Sequence, residues 1–185
     1  MNLCGKMLDI LGARAPMLIL ELFCRNSEKE FYTKEIGRKL KLSKATTIKW
    51  LKRLREEGLL GETPRGRKTF YRLHLGHPLA KQIRVLFTLA ELVPPLRSLK
   101  DLRGAYLVGA SARGTEAPDS PIELLILTRA DSGYIEKALE GISRKLGRTI
   151  KTRVMTPLEY AELARKDKEL YERLEREKIR LIGGR

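Results

Sequence analysis

Residues 33–73 carry apolar positions in two helical stripes followed by a hairpin pattern, and that order leaves few ways to fold. Thr33 is suited to cap a helix with Glu35 in its first turn, and Ile36 and Leu40 lie four apart on one face. Lys41-Leu42-Ser43 reads as a turn with Leu42 directed inward. Ser43 then caps a helix running to about residue 57, in which Thr47, Leu51 and Leu54 form one inward stripe with Ile48 at its edge. Gly58 is placed to end it. Leu59-Leu60 opens a strand, Thr63-Pro64-Arg65-Gly66-Arg67 is a turn-rich tip, and Lys68 leads into a returning strand, Thr69-Phe70-Tyr71-Arg72-Leu73. Ahead of these elements, residues 15–24 read as a buried helix.

Charge gathers on the same segment. The 185 residues include 38 Lys and Arg against 23 Asp and Glu, a net charge of +15. Residues 31–75 hold 13 basic and 4 acidic side chains, whereas residues 101–185 hold 17 and 14. A locally basic half joined to a nearly neutral one suggests two units with different tasks, the basic one facing a polyanion. With Thr47, Leu51 and Leu54 inward, Lys44, Lys49 and Arg53 fall on other faces of their helix. Ser43, Lys44, Ala45 and Thr46 form its first turn, whose free N–H groups favour phosphate. Arg65, Arg67 and Lys68 add cations at the hairpin tip, while Lys52 and Arg55 read as solvated charges and Trp50 as a packing residue. No aromatic platform for stacking single-stranded bases is evident, which favours double-stranded DNA over RNA.

The segments 33–40, 42–51 and 54–60 resemble a winged helix-turn-helix of the ArsR-like kind, over roughly residues 15–75. The resemblance implies that the helix after the turn enters the major groove and that the hairpin wing contacts backbone.

Other classes are disfavoured. A composition 42% hydrophobic and 33% charged permits a packed core and argues against disorder. Cys4 and Cys24 make no C-x-x-C and no disulfide framework, and His74 and His77 have no third partner, so no metal site and no cofactor are expected. Apolar runs are too short to span a bilayer, and Asp9, Arg14 and Glu21 interrupt any secretion-signal core, so no membrane partner and a cytoplasmic location are expected.

Gly76-His77-Pro78 breaks the chain after the hairpin, and a connector helix is expected from residue 78 to about 92, before Pro94-Pro95. Its Leu79, Ile83, Leu86 and Ala90 form a short seam, suited either to packing on the chain's own domains or to a homodimer that reads paired half-sites. The expected organisation is therefore a DNA-binding domain over 1–75, a helical connector over 76–100 and a second domain over 101–185, in an α+β chain.

In that second domain Ala105-Tyr106-Leu107-Val108 reads as a strand, followed by Gly109-Ala110-Ser111-Ala112-Arg113-Gly114 and a second, buried strand over residues 122–127. Residues 131–146 form an amphipathic helix with Ile135, Leu139 and Ile142 inward, and residues 148–155 alternate as a third strand. Thr156-Pro157-Leu158-Glu159 is a capping box, and its helix runs, with a possible break, to about residue 178 before a closing strand at Ile179-Arg180-Leu181-Ile182.

Gly109, Ala112, Arg113, Gly114, Ser120 and Ile122 match the signature of the minimal nucleotidyltransferase fold of the polymerase-beta superfamily, which this half resembles. The fusion of the two halves is similar to a kind of archaeal regulator. The departures fall on the chemistry. The family holds Mg²⁺ with two carboxylates at i and i+2 on one face of a strand. Here Pro121 stands at the first and Glu123 at the second, Ala110 replaces the phosphate-contacting serine with Ser111 one place late, and the third strand carries no acid. Asp119 or Glu116 would have to lend the missing carboxylate. The resemblance thus implies a catalytically degenerate frame that serves packing or dimerisation, or holds a nucleotide or other phosphate through Gly109, Ser111, Arg113, Glu123 and Lys151, with weak AMP transfer or antitoxin-like protein interaction as the alternatives.

Overall fold

Helix α1, Arg14–Arg25, buries Ile19, Leu20 and Phe23, and Phe23 meets Phe31 edge to face with ring centroids 5.6 Å apart. The computed structural model describes residues 13–183, so Cys4, Asp9 and Gly184 lie outside the described residues. The chain divides into two compact units, Met1–Phe87 and Thr88–Arg185. Among the described residues there are eight helices and two small sheets, an α+β composition. No described helix is long and apolar enough to cross a membrane.

In the first unit, β1 (Phe31–Tyr32) runs directly into α2 (Thr33–Leu40). Thr33 is therefore the first helical residue rather than the cap, because Tyr32 is held extended by pairing with Phe70. Lys41 turns the chain in a left-handed conformation, φ 53°, and Ser43 caps α3, Lys44–Glu56, its Oγ accepting the Thr46 N–H at 3.1 Å. The inward stripe of α3 is as expected: Thr47, Leu51 and Leu54 are buried. α2 and α3 pass closely at Gly37, where a Cβ would lie 3.2 Å from both the Leu42 carbonyl and Thr47 Oγ1. Gly58 leaves the helix at φ +74°.

The hairpin is β2 (Leu60–Arg65) and β3 (Lys68–Leu73), in register from Leu60↔Leu73 to Arg65↔Lys68. Its turn is thus only Gly66-Arg67, shorter than the turn-rich sequence suggests, with Gly66 at φ +58°. β1 adds to the other edge of β3, giving the order β1-β3-β2.

α4 runs from Pro78 to Leu96 and carries Pro94 and Pro95 inside it, four residues beyond the expected end. Each proline lacks the N–H that would bond to the carbonyl four residues earlier, so the helix gives up two hydrogen bonds in its last turns. Leu92 and Leu96 are fully buried there, and that burial, worth about 1.5–3 kcal/mol per leucine, holds the helix together. Of the expected seam, Ala90 is buried, whereas Leu79 is 57% exposed and Ile83 and Leu86 are half-buried; Ala80, Val85 and Phe87 beside it are buried.

The second unit is a four-stranded sheet ordered β6-β5-β4-β7, built from β4 (Leu102–Val108), β5 (Ile122–Thr128), β6 (Ile150–Met155) and β7 (Ile179–Ile182). β5 and β6 are parallel, and β4 is antiparallel to both β5 and β7. Both faces are covered, which explains the near-continuous apolar runs of β4 and β5. Ala105, Leu107, Leu124 and Ile126 pack with Leu92, Leu96 and α6 (Ser132–Leu146) on one face. Tyr106, Val108, Leu125 and Leu127 pack with α7 (Pro157–Lys166) and α8 (Lys168–Glu177) on the other. The Thr156 capping box forms as expected, and the chain breaks at Asp167, which ends α7 and caps α8. Between β4 and β5, the residues after Val108 wind into the single turn α5, Gly109–Arg113.

Candidate functional site

The first unit carries a groove of about 730 Å³ between α2, the start of α3 and the hairpin. Lys34 and Arg38 of α2, Lys44 of α3, and Arg67 and Lys68 of the hairpin line it, with no carboxylate among the lining residues. Secondary structure fixes this convergence. Lys34 and Arg38 are one turn apart on the face of α2 opposite buried Ile36, and the tight turn at Gly66 brings Arg67 and Lys68 back toward α3. The Lys68 ammonium lies 4.6 Å from the centre of the Tyr32 ring, which orients it without neutralising it.

Of the residues singled out from sequence, Lys44, Arg67 and Lys68 line the groove. Ser43 and Thr46 are tied to each other at the start of α3, Ser43 Oγ donating to Thr46 Oγ1 at 2.8 Å, and Ala45 is exposed beside them. Lys49 and Arg53 sit outside the groove, each 5.6 Å from the centre of the Trp50 ring. Arg65 is not a free tip cation: it pairs with Glu30 at 2.7 Å and stacks on Phe70 at 5.1 Å. Arg55, expected to be solvated, pairs with Glu62 at 2.7 Å, and that bond raises its pKa above the ordinary value. The groove also takes in Lys34 and Arg38, which the sequence reading gives no role, and Ile48, which it places only at the edge of the inward stripe. The i, i+4 spacing of Lys34 and Arg38 was the available signal; Ile48 was hidden by its position next to the inward stripe.

The second unit has a cavity of about 540 Å³ at the end of β4, lined by Gly109, Ala110, Arg113, Glu123, Lys151, Arg153, Arg173 and Glu177, with apolar residues of β5 and α8. Gly109 turns the chain at φ +68°, and a Cβ there would lie 2.7 Å from Glu123 Oε2, so the Glu123 carboxylate rests directly over the glycine. Val108, Glu123 and Lys151 are neighbours across the three strands. Arg113 donates to Glu177, which lies 64 positions further along the chain. Ser111 does not join this site: it is 1% exposed and does not line the cavity. The five-residue helix α5 carries Ser111 and Ala112 on its buried side, leaving Ala110 and Arg113 at the cavity. Neither Asp119 nor Glu116 lines the cavity; Glu116 is buried near Arg148, 4.0 Å away. Among the described residues no three His, Cys, Asp or Glu side chains are grouped to hold a metal ion.

Near this cavity α7 and α8 are locked by one polar cluster. Tyr160 donates its hydroxyl to Glu175 at 2.7 Å, and burial followed by that bond pushes the tyrosine well above its ordinary pKa. Lys178 donates to Glu175 and lies between the Tyr106 and Tyr160 rings, at 4.9 and 5.1 Å. The Lys178 bond is the main reason Glu175 titrates below the usual carboxylate range.

No family model matches the chain. No curated protein matches it either. A solved structure described as a toxin-antitoxin with AMP-PNP is similar to part of it, at 17% identity and TM-score 0.40, covering 52% of this chain and 74% of that one.

Proposed function

We propose that the chain is a DNA-binding transcription regulator whose first unit is a winged helix-turn-helix of the ArsR-like kind. The observation that carries this reading is the groove of Lys34, Arg38, Lys44, Arg67 and Lys68, five cations with no carboxylate among them. Such a groove suits the closely spaced phosphates of duplex DNA. In this reading α3 enters the major groove, its Ser43-capped first turn meets phosphate, and the hairpin lies on the backbone. The protein acts in the cytoplasm, as a homodimer on paired half-sites.

The second unit, in the same reading, is a nucleotidyltransferase-like frame without its catalyst. Two carboxylates line the cavity, Glu123 on a strand and Glu177, which pairs with Arg113, against the further cations Lys151, Arg153 and Arg173. That balance suits assembly, or an anion such as a nucleotide held without turnover, better than two-metal phosphoryl transfer.

The test is fluorescence anisotropy of the full chain with a labelled duplex of random sequence, beside the Lys44→Ala/Lys68→Ala variant. Salt-sensitive binding that the variant weakens supports the reading; no binding at low salt, or equal binding by both proteins, refutes it.

A further inference from the structure

Ile48 is 46% exposed although the apolar stripe of α3 is complete without it, Thr47, Leu51 and Leu54 all being buried. Among the described residues it is one of five exposed large apolar side chains, with Leu75, Leu79, Tyr134 and Leu158, and the one of these that lines the cationic groove. It stands one turn after Lys44 on the same face of α3, next to the Lys68 and Thr69 side of the hairpin. Nearly half of this β-branched side chain faces solvent, an exposure that neither helix propensity nor charge explains.

Duplex DNA carries one apolar group in its major groove, the C5-methyl of thymine, and apolar side chains read it by contact. Resting on the DNA-binding reading, we infer that Ile48 is a specificity-determining residue that packs on a thymine methyl, so that the preferred site holds an A·T pair at a fixed step. Lys44 and Lys68 beside it neutralise phosphate and give affinity without a base code; Ile48 supplies base discrimination.

The experiment selects preferred sites from a random duplex library with the full chain, then replaces each thymine of the recovered site by deoxyuridine, which removes the methyl alone. One replacement is expected to weaken wild-type binding about fourfold, the value of one apolar contact of methyl size. The same replacement in the Ile48→Ala variant is expected to change nothing, because the partner of the methyl is already gone. The melting temperature of Ile48→Ala shows that the exposed substitution leaves the fold intact. Duplex binding with no methyl-sensitive thymine, or with equal sensitivity in both proteins, overturns this inference and leaves DNA binding standing. No duplex binding at low salt overturns both.

Discussion

Neutralising Lys44 and Lys68 together removes two of the five cations that line the first-unit groove. Each phosphate neutralised by a side chain releases condensed counterion, and the slope of log K against log salt is about −0.9 per contact on duplex DNA. Five contacts then give a slope of about −4.5, and three give about −2.7. Raising salt from about 50 to about 200 mM weakens wild-type binding about 500-fold but the double alanine variant only about 40-fold. Both side chains are exposed, so the variant keeps its core. Inside the protein it loses the Lys68 contact with the Tyr32 ring, worth about 0.5–1 kcal/mol, which a thermal melt registers separately. Anisotropy titrations at four or more salt concentrations give both slopes. Equal slopes in the two proteins would mean that neither lysine meets phosphate, and the reasoning from the groove would fail.

Two further outcomes follow from the local chemistry. Ser43→Ala leaves the Thr46 N–H without its cap acceptor and is expected to lower the stability of the first unit by about 1 kcal/mol, read as a lower melting temperature; no change would mean the cap contributes nothing. Glu175 has its folded pKa below the ordinary 4.5 through its bond from Lys178, so its contribution to stability is present above about pH 4.5 and lost as pH falls through its depressed value. Glu175→Gln is therefore expected to melt lower than wild type near neutral pH, with the gap closing on acidification; a gap independent of pH contradicts that assignment.

The parts of this fold legible in the sequence are those fixed by neighbouring residues. The Ser43 cap, the Thr47-Leu51-Leu54 stripe and the Thr156 capping box each depend on positions three or four apart, and all three form. What escaped depends on distant partners. β1 is two residues long, too short for any periodicity, and exists because Phe31 and Tyr32 pair with Tyr71 and Phe70. α4 continues through Pro94 and Pro95 because Leu96 is buried, a tertiary gain that local proline preference cannot reveal. Its regular spacing of Leu79, Ile83 and Leu86 suits packing on the chain's own domains or a homodimer seam, and within the chain burial falls on a neighbouring face with Ala80 and Val85.

The candidate sites show the same division. Arg65 and Arg113 look alike in sequence, as cations suited to meet phosphate, yet each is paired with a glutamate elsewhere in the chain, Glu30 and Glu177. Ser111 follows Ala110 by one residue, and one step along α5 is enough to carry its side chain from the cavity into the interior. Lys34 and Arg38 form an i, i+4 pair in the sequence, but their value lies in sharing a groove with Lys44 of α3 and Lys68 of the hairpin, which only the folded unit brings together.

The most direct measurement of the central claim is lysine protection. The full chain, free and saturated with duplex DNA at low salt, is treated with an amine-reactive acetylating reagent, and each lysine is quantified by mass spectrometry. DNA in the groove is expected to protect Lys34, Lys44 and Lys68 together and to leave Lys151 of the second unit as reactive as before. Protection of Lys151, or unchanged reactivity at the three groove lysines, would contradict the account.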